Sequence, residues 1–244
     1  MTDTVIEALE LPTIIMGNQT SIYPTLIWDS DTTILVDAGF TGQSSAIKQA
    51  IMKTGKSFEK LDKIIVTHHD RDHIGSLRSL LHDLPSASVL SHEAEKPYIE
   101  GNLLPCKVTM ADAPDSQFPP PVKAAFQAQK LDYLDYAVPV DETLYDGQEL
   151  PYCGGIKVVH TPGHTPGHIC LYLTHNKTLI AGDALCIEGG KLNVIPHFTS
   201  FDPYLAIKSL EKLSQYVIET VFCYHGGVWR GNADQFTKEL SDIK

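Results

Sequence analysis

Apolar positions along the chain cluster into short runs bounded by turn residues, and these runs recur in both halves. The first half carries LPTIIMG at 11–17, YPTLIWDSDTTILVDAG at 23–39 and KIIVTH at 63–68. The second carries GGIKVVHTPG at 154–163, HICLYLTHNKTLIAGD at 168–183 and ETVFCYHG at 219–226. Their length and their β-branched and aromatic content predict strands, with SDTT and THNKT as hairpin turns. Between them the apolar spacing changes to a helical one at 42–55, 73–85, 201–216, where Leu205, Leu210 and Leu213 share a face, and 232–244. Strands interleaved with helices, with hairpins in each half, predict an α/β fold of two mixed sheets packed together and covered by helices.

Residues 97–139 break this pattern. Pro105, Pro114 and the run Pro119-Pro120-Pro121 punctuate the segment, with one helical pattern at 121–134. Long irregular excursions in compact domains are often functional. We expect a lid or substrate loop within a single domain spanning 1–244, with Tyr133 and Tyr136 lining the substrate.

Composition narrows the possible functions. The 244 residues are 43% apolar, enough for a sizeable core, and 30 acidic against 19 basic side chains give a formal charge of −11. That balance opposes capture of nucleic acid through phosphates or docking on anionic lipid. The stretch MTDTVIEALELPTIIMG lacks the basic start and apolar core of a signal peptide, and no run approaches a membrane span, so a cytoplasmic location is expected. Five scattered cysteines without a C-x-x-C pair read as reduced thiols, Cys170 and Cys223 as small core residues.

The chemistry concentrates in THHDRDHIGS at 67–76. In an extended strand end, His68, Asp70 and Asp72 would project to one side and His69 and Arg71 to the other, with His73 returning as the chain turns helical. A cluster of nitrogen and carboxylate donors without sulfur suits zinc, iron or manganese. His164 in HTPGHTPGH, Asp183 in LIAGDAL and His225 in VFCYHGG are each a lone potential ligand at a strand end followed by a turn, where loops can converge on one site.

These five ordered motifs, LVDAG, THHDRDHIG, HTPGHTPGH, AGDAL and YHGG, resemble the metallo-β-lactamase superfamily of metal-dependent hydrolases over nearly the whole chain. The resemblance implies a four-layer αββα sandwich with a dinuclear site at one edge of the sheets. It implies a first ion held by His68, position 70 and His164, a second by Asp72, His73 and His225, and Asp183 bridging. Asp37 and His168 are expected to orient ligands through hydrogen bonds. Cys186 and His197 are further candidates for lining the substrate. His69 is expected to face away, and His160 to pack beside the His164 turn.

One position departs from the family pattern: the common H-x-H-x-D-H motif has His where this chain has Asp70. A third ligating carboxylate would lower the charge of the centre and shift preference from zinc toward manganese or iron. The implied activity is cleavage of a small-molecule ester-type bond (lactone, thioester or β-lactam) by a metal-bound hydroxide, with Asp72 accepting a proton or orienting the nucleophile. Against acyl-homoserine lactonases, Cys186 stands where a Tyr is usual. Against the glyoxalase II branch, only a short segment follows His225. Flavo-diiron proteins carry a carboxylate at the position of Asp70, so a di-iron oxidoreductase is the alternative enzyme, and a metal-binding protein without catalysis the alternative from outside enzymology.

Overall fold

The computed structural model describes residues 3–243. The first half contributes strands β1 (Val5–Ala8), β2 (Leu11–Ile15), β3 (Asn18–Ile22), β4 (Thr25–Trp28), β5 (Thr33–Val36), β6 (Lys63–Val66), β7 (Ser88–His92) and β8 (Glu142–Leu144). The second contributes β9 (Glu149–Leu150), β10 (Ile156–His160), β11 (Ile169–Leu173), β12 (Thr178–Gly182), β13 (Cys186–Glu188), β14 (Lys191–Asn193), β15 (Thr220–Cys223) and β16 (Gly227–Arg230). Two six-stranded sheets result, in the orders β1-β4-β5-β6-β7-β8 and β16-β15-β12-β11-β10-β9.

Alternation along the central strands explains the layering. In β6, Ile65 points to the space between the sheets, where it meets Ile27, Leu90, Val158 and Leu171, while Ile64 and Val66 point outward. The outward set packs against Ile47 and Ile51 of α1 (Ser44–Lys53) and, past the four-residue α2 (Arg71–Ile74), against Leu77 and Leu80 of α3 (Leu77–Asp83). After the helices of the excursion, α4 (Lys96–Ile99), α5 (Cys106–Asp112) and α6 (Pro120–Ala128), the last two helices cover the second sheet. There Cys170, Leu179 and Val221 meet Leu210 of α7 (Pro203–Leu210) and Phe236 of α8 (Ala233–Asp242). The four layers are therefore αββα, as expected, and buried strands carrying apolar side chains on both faces are what this architecture requires.

Three details differ from the sequence reading. The run at 11–17 forms β2 of a separate hairpin with β3 outside the two main sheets, turned at Met16 and Gly17, both with positive φ. The strand before the main motif ends at Val66, so His68 to Asp70 form a loop and Asp72 and His73 lie on α2; helical geometry, not strand alternation, aims Asp72. The excursion is more ordered than its prolines suggest, because Pro105 and Pro119 sit just ahead of α5 and α6, where proline is compatible with helix entry.

Direction matters more for the site than order. Strands β5 to β8 run parallel, and β10, β12 and β15 share one direction in the other sheet. The loops that follow these strands gather at a common edge. Truncating Leu171, fully buried between the sheets, should cost about 2–5 kcal/mol, read as a lowered urea midpoint with unchanged slope.

Candidate metal centre

The candidate donors enter from the segments that follow strands: His68, Asp70, His164, Asp183 and His225 from loops, Asp72 and His73 from α2 just beyond one. Asp37 follows β5 with a positive φ of 67°, a conformation uncommon for a residue with a side chain and seen where surrounding bonds enforce it. Its carboxylate accepts from the Thr67 backbone N–H (2.8 Å) and Thr67 hydroxyl (2.8 Å), and lies 2.9 Å from His73 Nδ1. A carboxylate only accepts, so the proton sits on Nδ1 and the Nε2 lone pair of His73 faces the site. The Tyr224 hydroxyl donates to the Asp72 carbonyl, and its ring packs on His73 with centroids 3.8 Å apart.

His164 lies in the loop after β10. Gly163 (φ +133°) closes this loop against the start of α7, where a Cβ would stand 2.1 Å from the Ala206 nitrogen. Next to Asp183, Gly182 leaves room for His168, whose Nε2 would lie 2.7 Å from a Cβ there. His168 Nε2 accepts the Asp183 backbone N–H (3.0 Å), and Nδ1 then donates to Thr161 Oγ1 (2.9 Å). Burial pushes the His168 pKa down to about 3, which keeps this two-way bonding pattern neutral.

The donor atoms converge in two groups: His68, Asp70, His164 and Asp183 in one, and Asp72, His73 and His225 in the other, all within 4.8 Å of one another in each group. In the first, His68 Nε2 and Asp70 Oδ2 are 3.2 Å apart, His164 Nε2 and Asp70 Oδ2 3.0 Å, and His164 Nε2 and Asp183 Oδ2 3.4 Å. In the second, His225 Nε2 lies 3.3 Å from Asp72 Oδ2 and 3.5 Å from Asp183 Oδ2, and His73 Nε2 lies 3.2 Å from Asp183 Oδ1. Ligands about 2.1 Å from a tetrahedral ion are separated by about 3.4 Å. Asp183 thus reaches both groups.

The two groups differ in what already satisfies them. His73 Nε2 and Asp183 Oδ1 are buried without a hydrogen-bond partner among the described residues, an arrangement that costs stability unless a cation is bound. His68 Nε2 is also unpartnered. Asp70 Oδ2 and His164 Nε2, however, both face the buried ammonium of Lys107 from α5, at 2.8 Å for His164 and in direct contact for Asp70. Burial opposes a charge on Lys107, but the Asp70 carboxylate holds its pKa above the usual lysine range. Burial likewise opposes a charge on His225, and Asp183 with Asp72 raises its pKa to about 10.

Lys107 is a residue that the sequence reading missed, and so is Glu95. Fully buried after β7, Glu95 accepts from the His69 backbone N–H (2.8 Å), His69 Nδ1, the Thr165 hydroxyl (2.7 Å) and the Gly167 N–H (2.6 Å). His69 Nε2 in turn accepts the Cys106 N–H (3.2 Å). His69 faces away from the donor groups, and its role is to tie the His68 loop, the His164 loop and α5 together. A lone Lys in the apolar stretch LLPCKVTM was the one available signal for Lys107; nothing in SHEAEKPY distinguishes Glu95 from a solvated charge.

The candidate substrate residues scatter. His197 lines a cleft together with His164, Asp183 and Ser200, between the His164 loop and α7. Cys186 is half-buried on β13, with burial raising its thiol pKa to about 11. Tyr136 is buried with its hydroxyl unpartnered among the described residues, and Tyr133 packs on the helical side of the first sheet. His160 stacks on His92 at 4.0 Å.

The sequence model described as metallo-beta-lactamase superfamily matches residues 17–225. The chain belongs to the metallo-β-lactamase superfamily. Most members of this superfamily are metal-dependent hydrolases. The chain is 26% identical over 227 residues to the uncharacterized protein YobT of Bacillus subtilis (strain 168), covering 90% of this chain and 89% of YobT. It is 29% identical over 228 residues to the probable metallo-hydrolase YflN of the same organism, covering 86% of this chain and 80% of YflN. The hydroxyacylglutathione hydrolase of Prochlorococcus marinus (strain MIT 9211) is 26% identical over 76% of this chain and 61% of its own length.

Among solved structures, the metallo-β-lactamase family protein TTHA1429 from Thermus thermophilus superposes with a TM-score of 0.66 at 21% identity, covering 97% of this chain and 78% of that one. TTHA1623, in a di-iron-bound form, superposes with a TM-score of 0.63 at 23% identity, covering 94% and 98%. These likenesses extend the αββα assignment across the superfamily fold.

Replacing Glu95 by Ala removes one buried carboxylate and strands the donors of two loops, those carrying His68 and His164. The expected loss is about 3–5 kcal/mol, measured by urea unfolding, with far-UV circular dichroism of the folded state unchanged.

Proposed function

We propose that this metallo-β-lactamase superfamily member is a metal-dependent hydrolase acting on a small-molecule ester-type bond, with a thioester ahead of a lactone or β-lactam. The observation that carries this reading is the convergence of two donor groups on the shared carboxylate of Asp183. The hydroxyacylglutathione hydrolases among its relatives support the thioester, though the chain spans only about 61% of that Prochlorococcus protein.

When bound, a divalent ion supplies Lewis acidity and a water of lowered pKa. The rest falls to the chain. His73, fixed by Asp37, and His225, Asp72 and Asp183 would hold the ion, and Asp72 would accept a proton or orient the nucleophile, a role that its 18% side-chain exposure supports. His68, Asp70 and His164 form the adjoining wall. His197 and the cleft beside α7 would receive part of the substrate, and the 97–139 excursion would act as its lid. Exposed Leu131, Leu134 and Phe201 near these elements support an apolar acyl or leaving group. Zinc is the ion we favour, with manganese and iron as the alternatives. Among the described residues no helix is long and apolar enough to cross a membrane, and five free cysteines support a reducing compartment, for which we propose the cytoplasm.

The test loads the purified protein with zinc, manganese or iron and assays a thioester, lactone and β-lactam panel. Turnover of at least one substrate, lost together with the ion in His225→Ala, is expected; a fully loaded protein that turns over none of them would sink the reading. Asp37→Asn should lower metal affinity about 10- to 100-fold, measured by competition with a chelator, because it releases the ring of His73.

A further inference from the structure

We infer that Lys107 takes the place of one of the two ions, so that the centre holds a single divalent ion at Asp72, His73, Asp183 and His225, beside a Lys107–Asp70 ion pair. This inference rests on the reading of the site as a metal centre and concerns how many ions it holds.

Lone pairs decide the matter. An imidazole nitrogen has one lone pair or one proton: His164 Nε2 lies 2.8 Å from Lys107 Nζ, which can only donate to its lone pair, and 3.0 Å from Asp70 Oδ2, which can only accept its proton, so either tautomer is engaged within the Lys107–Asp70 pair. Neither leaves a lone pair for an ion. Asp70 Oδ2, the oxygen turned toward His68 and His164, is the atom that the ammonium contacts. Two of the four donors of the first group are therefore occupied by a side chain.

The helix that delivers Lys107 is anchored independently of it. Cys106, Val108 and Ala111 of α5 are buried, and the Cys106 N–H donates to His69 Nε2, whose other nitrogen meets Glu95. Moving α5 away to admit an ion would break this chain and expose that apolar face. Only 3% of Lys107 is exposed, which leaves its ammonium no nearby solvent to turn into.

Charge permits this arrangement. One divalent ion and one ammonium carry three positive charges, matching the carboxylates of Asp70, Asp72 and Asp183. Counting Asp37, which faces His73, the centre with one ion has an excess of one negative charge and the centre with two an excess of one positive charge, so charge is compatible with a single ion and geometry decides the count. Asp70 thus becomes intelligible as the partner of a lysine: a His at position 70 would leave the Lys107 ammonium without its carboxylate.

The experiment counts ions per chain by elemental analysis after saturation with zinc, manganese or iron and removal of unbound metal. Wild type is expected to hold one, His225→Ala none, His164→Ala one, and Lys107→Met two, since a methionine keeps the volume but frees Asp70 and His164. Two ions in wild type, a single ion that survives His225→Ala, or one ion still in Lys107→Met would overturn the inference. Electron paramagnetic resonance of manganese-loaded wild type needs no variant: an isolated ion is expected, and a spin-coupled pair refutes it. A wild type that binds none of the three metals would remove the metal centre and this inference together. Absence of turnover with one ion bound would instead count against the hydrolase reading and leave the ion count standing.

Discussion

Everything at the edge of this molecule depends on compensating five carboxylates brought into a small, largely dry volume. Asp37, Glu95 and Asp183 are almost wholly buried, and the side chains of Asp70 and Asp72 are half-buried. An unpaired charge in such a place costs several kcal/mol, so each carboxylate must find its own donors or cations. Asp37 takes Thr67 and His73, Glu95 takes His69, Thr165 and Gly167, and Asp70 takes Lys107. Burial opposes ionisation of Asp183, yet His225 and His73 hold its carboxyl well below the usual range. The sheets bring these groups together because the loops after β5, β6, β7, β10, β12 and β15 all emerge at one edge.

Two of these carboxylates do architectural work that a ligand list would pass over. Asp37 is held in a left-handed backbone conformation, and its bonds to Thr67 and His73 join the loops after β5 and β6 to α2. Glu95 joins the His68 loop to the turn carrying His164, two segments separated by nearly a hundred residues in sequence. Loops are the most mobile parts of a fold. Buried charge-assisted bonds give these loops the rigidity that the strands alone cannot provide, since convergent donors lose their function if they move by about an ångström.

What the sequence made legible follows from what is local. The strands KIIV, ICLYL and TLIAG announce themselves by short apolar runs between turn residues, and the helix at 44–53 by its spacing. His68, His73, His164, Asp183 and His225 were legible because donor residues at strand ends, followed by Gly or Pro, are a local pattern. The small hairpin of β2 and β3 was not, because an alternating run does not say which sheet it joins. Nor were Glu95 and Lys107: each draws its meaning from partners far away in the chain, and a single Glu before a helix or a single Lys in a proline-rich excursion has no local mark. Asp70 stood out in the sequence as a departure from a motif, but its explanation lies thirty-seven residues away.

The pairing of Lys107 with Asp70 also makes the two donor groups unequal as chemistry. The first is closed on its outer side by α5, and His68 and His164 are almost completely buried. The second is the more open, with the side chains of His225 and Asp72 exposed by 23% and 18%. His225 and Asp72 are the donors most open to solvent, while the cleft along the His164 loop and α7 is lined by His164 and Asp183. Arg71, adjacent to Asp70 on α2, reaches the other way to pair with Asp132 of the excursion at 2.6 Å. The segment that closes one donor group is therefore tied by a second ion pair to the helix bearing Asp72, so the excursion and the open group are mechanically linked.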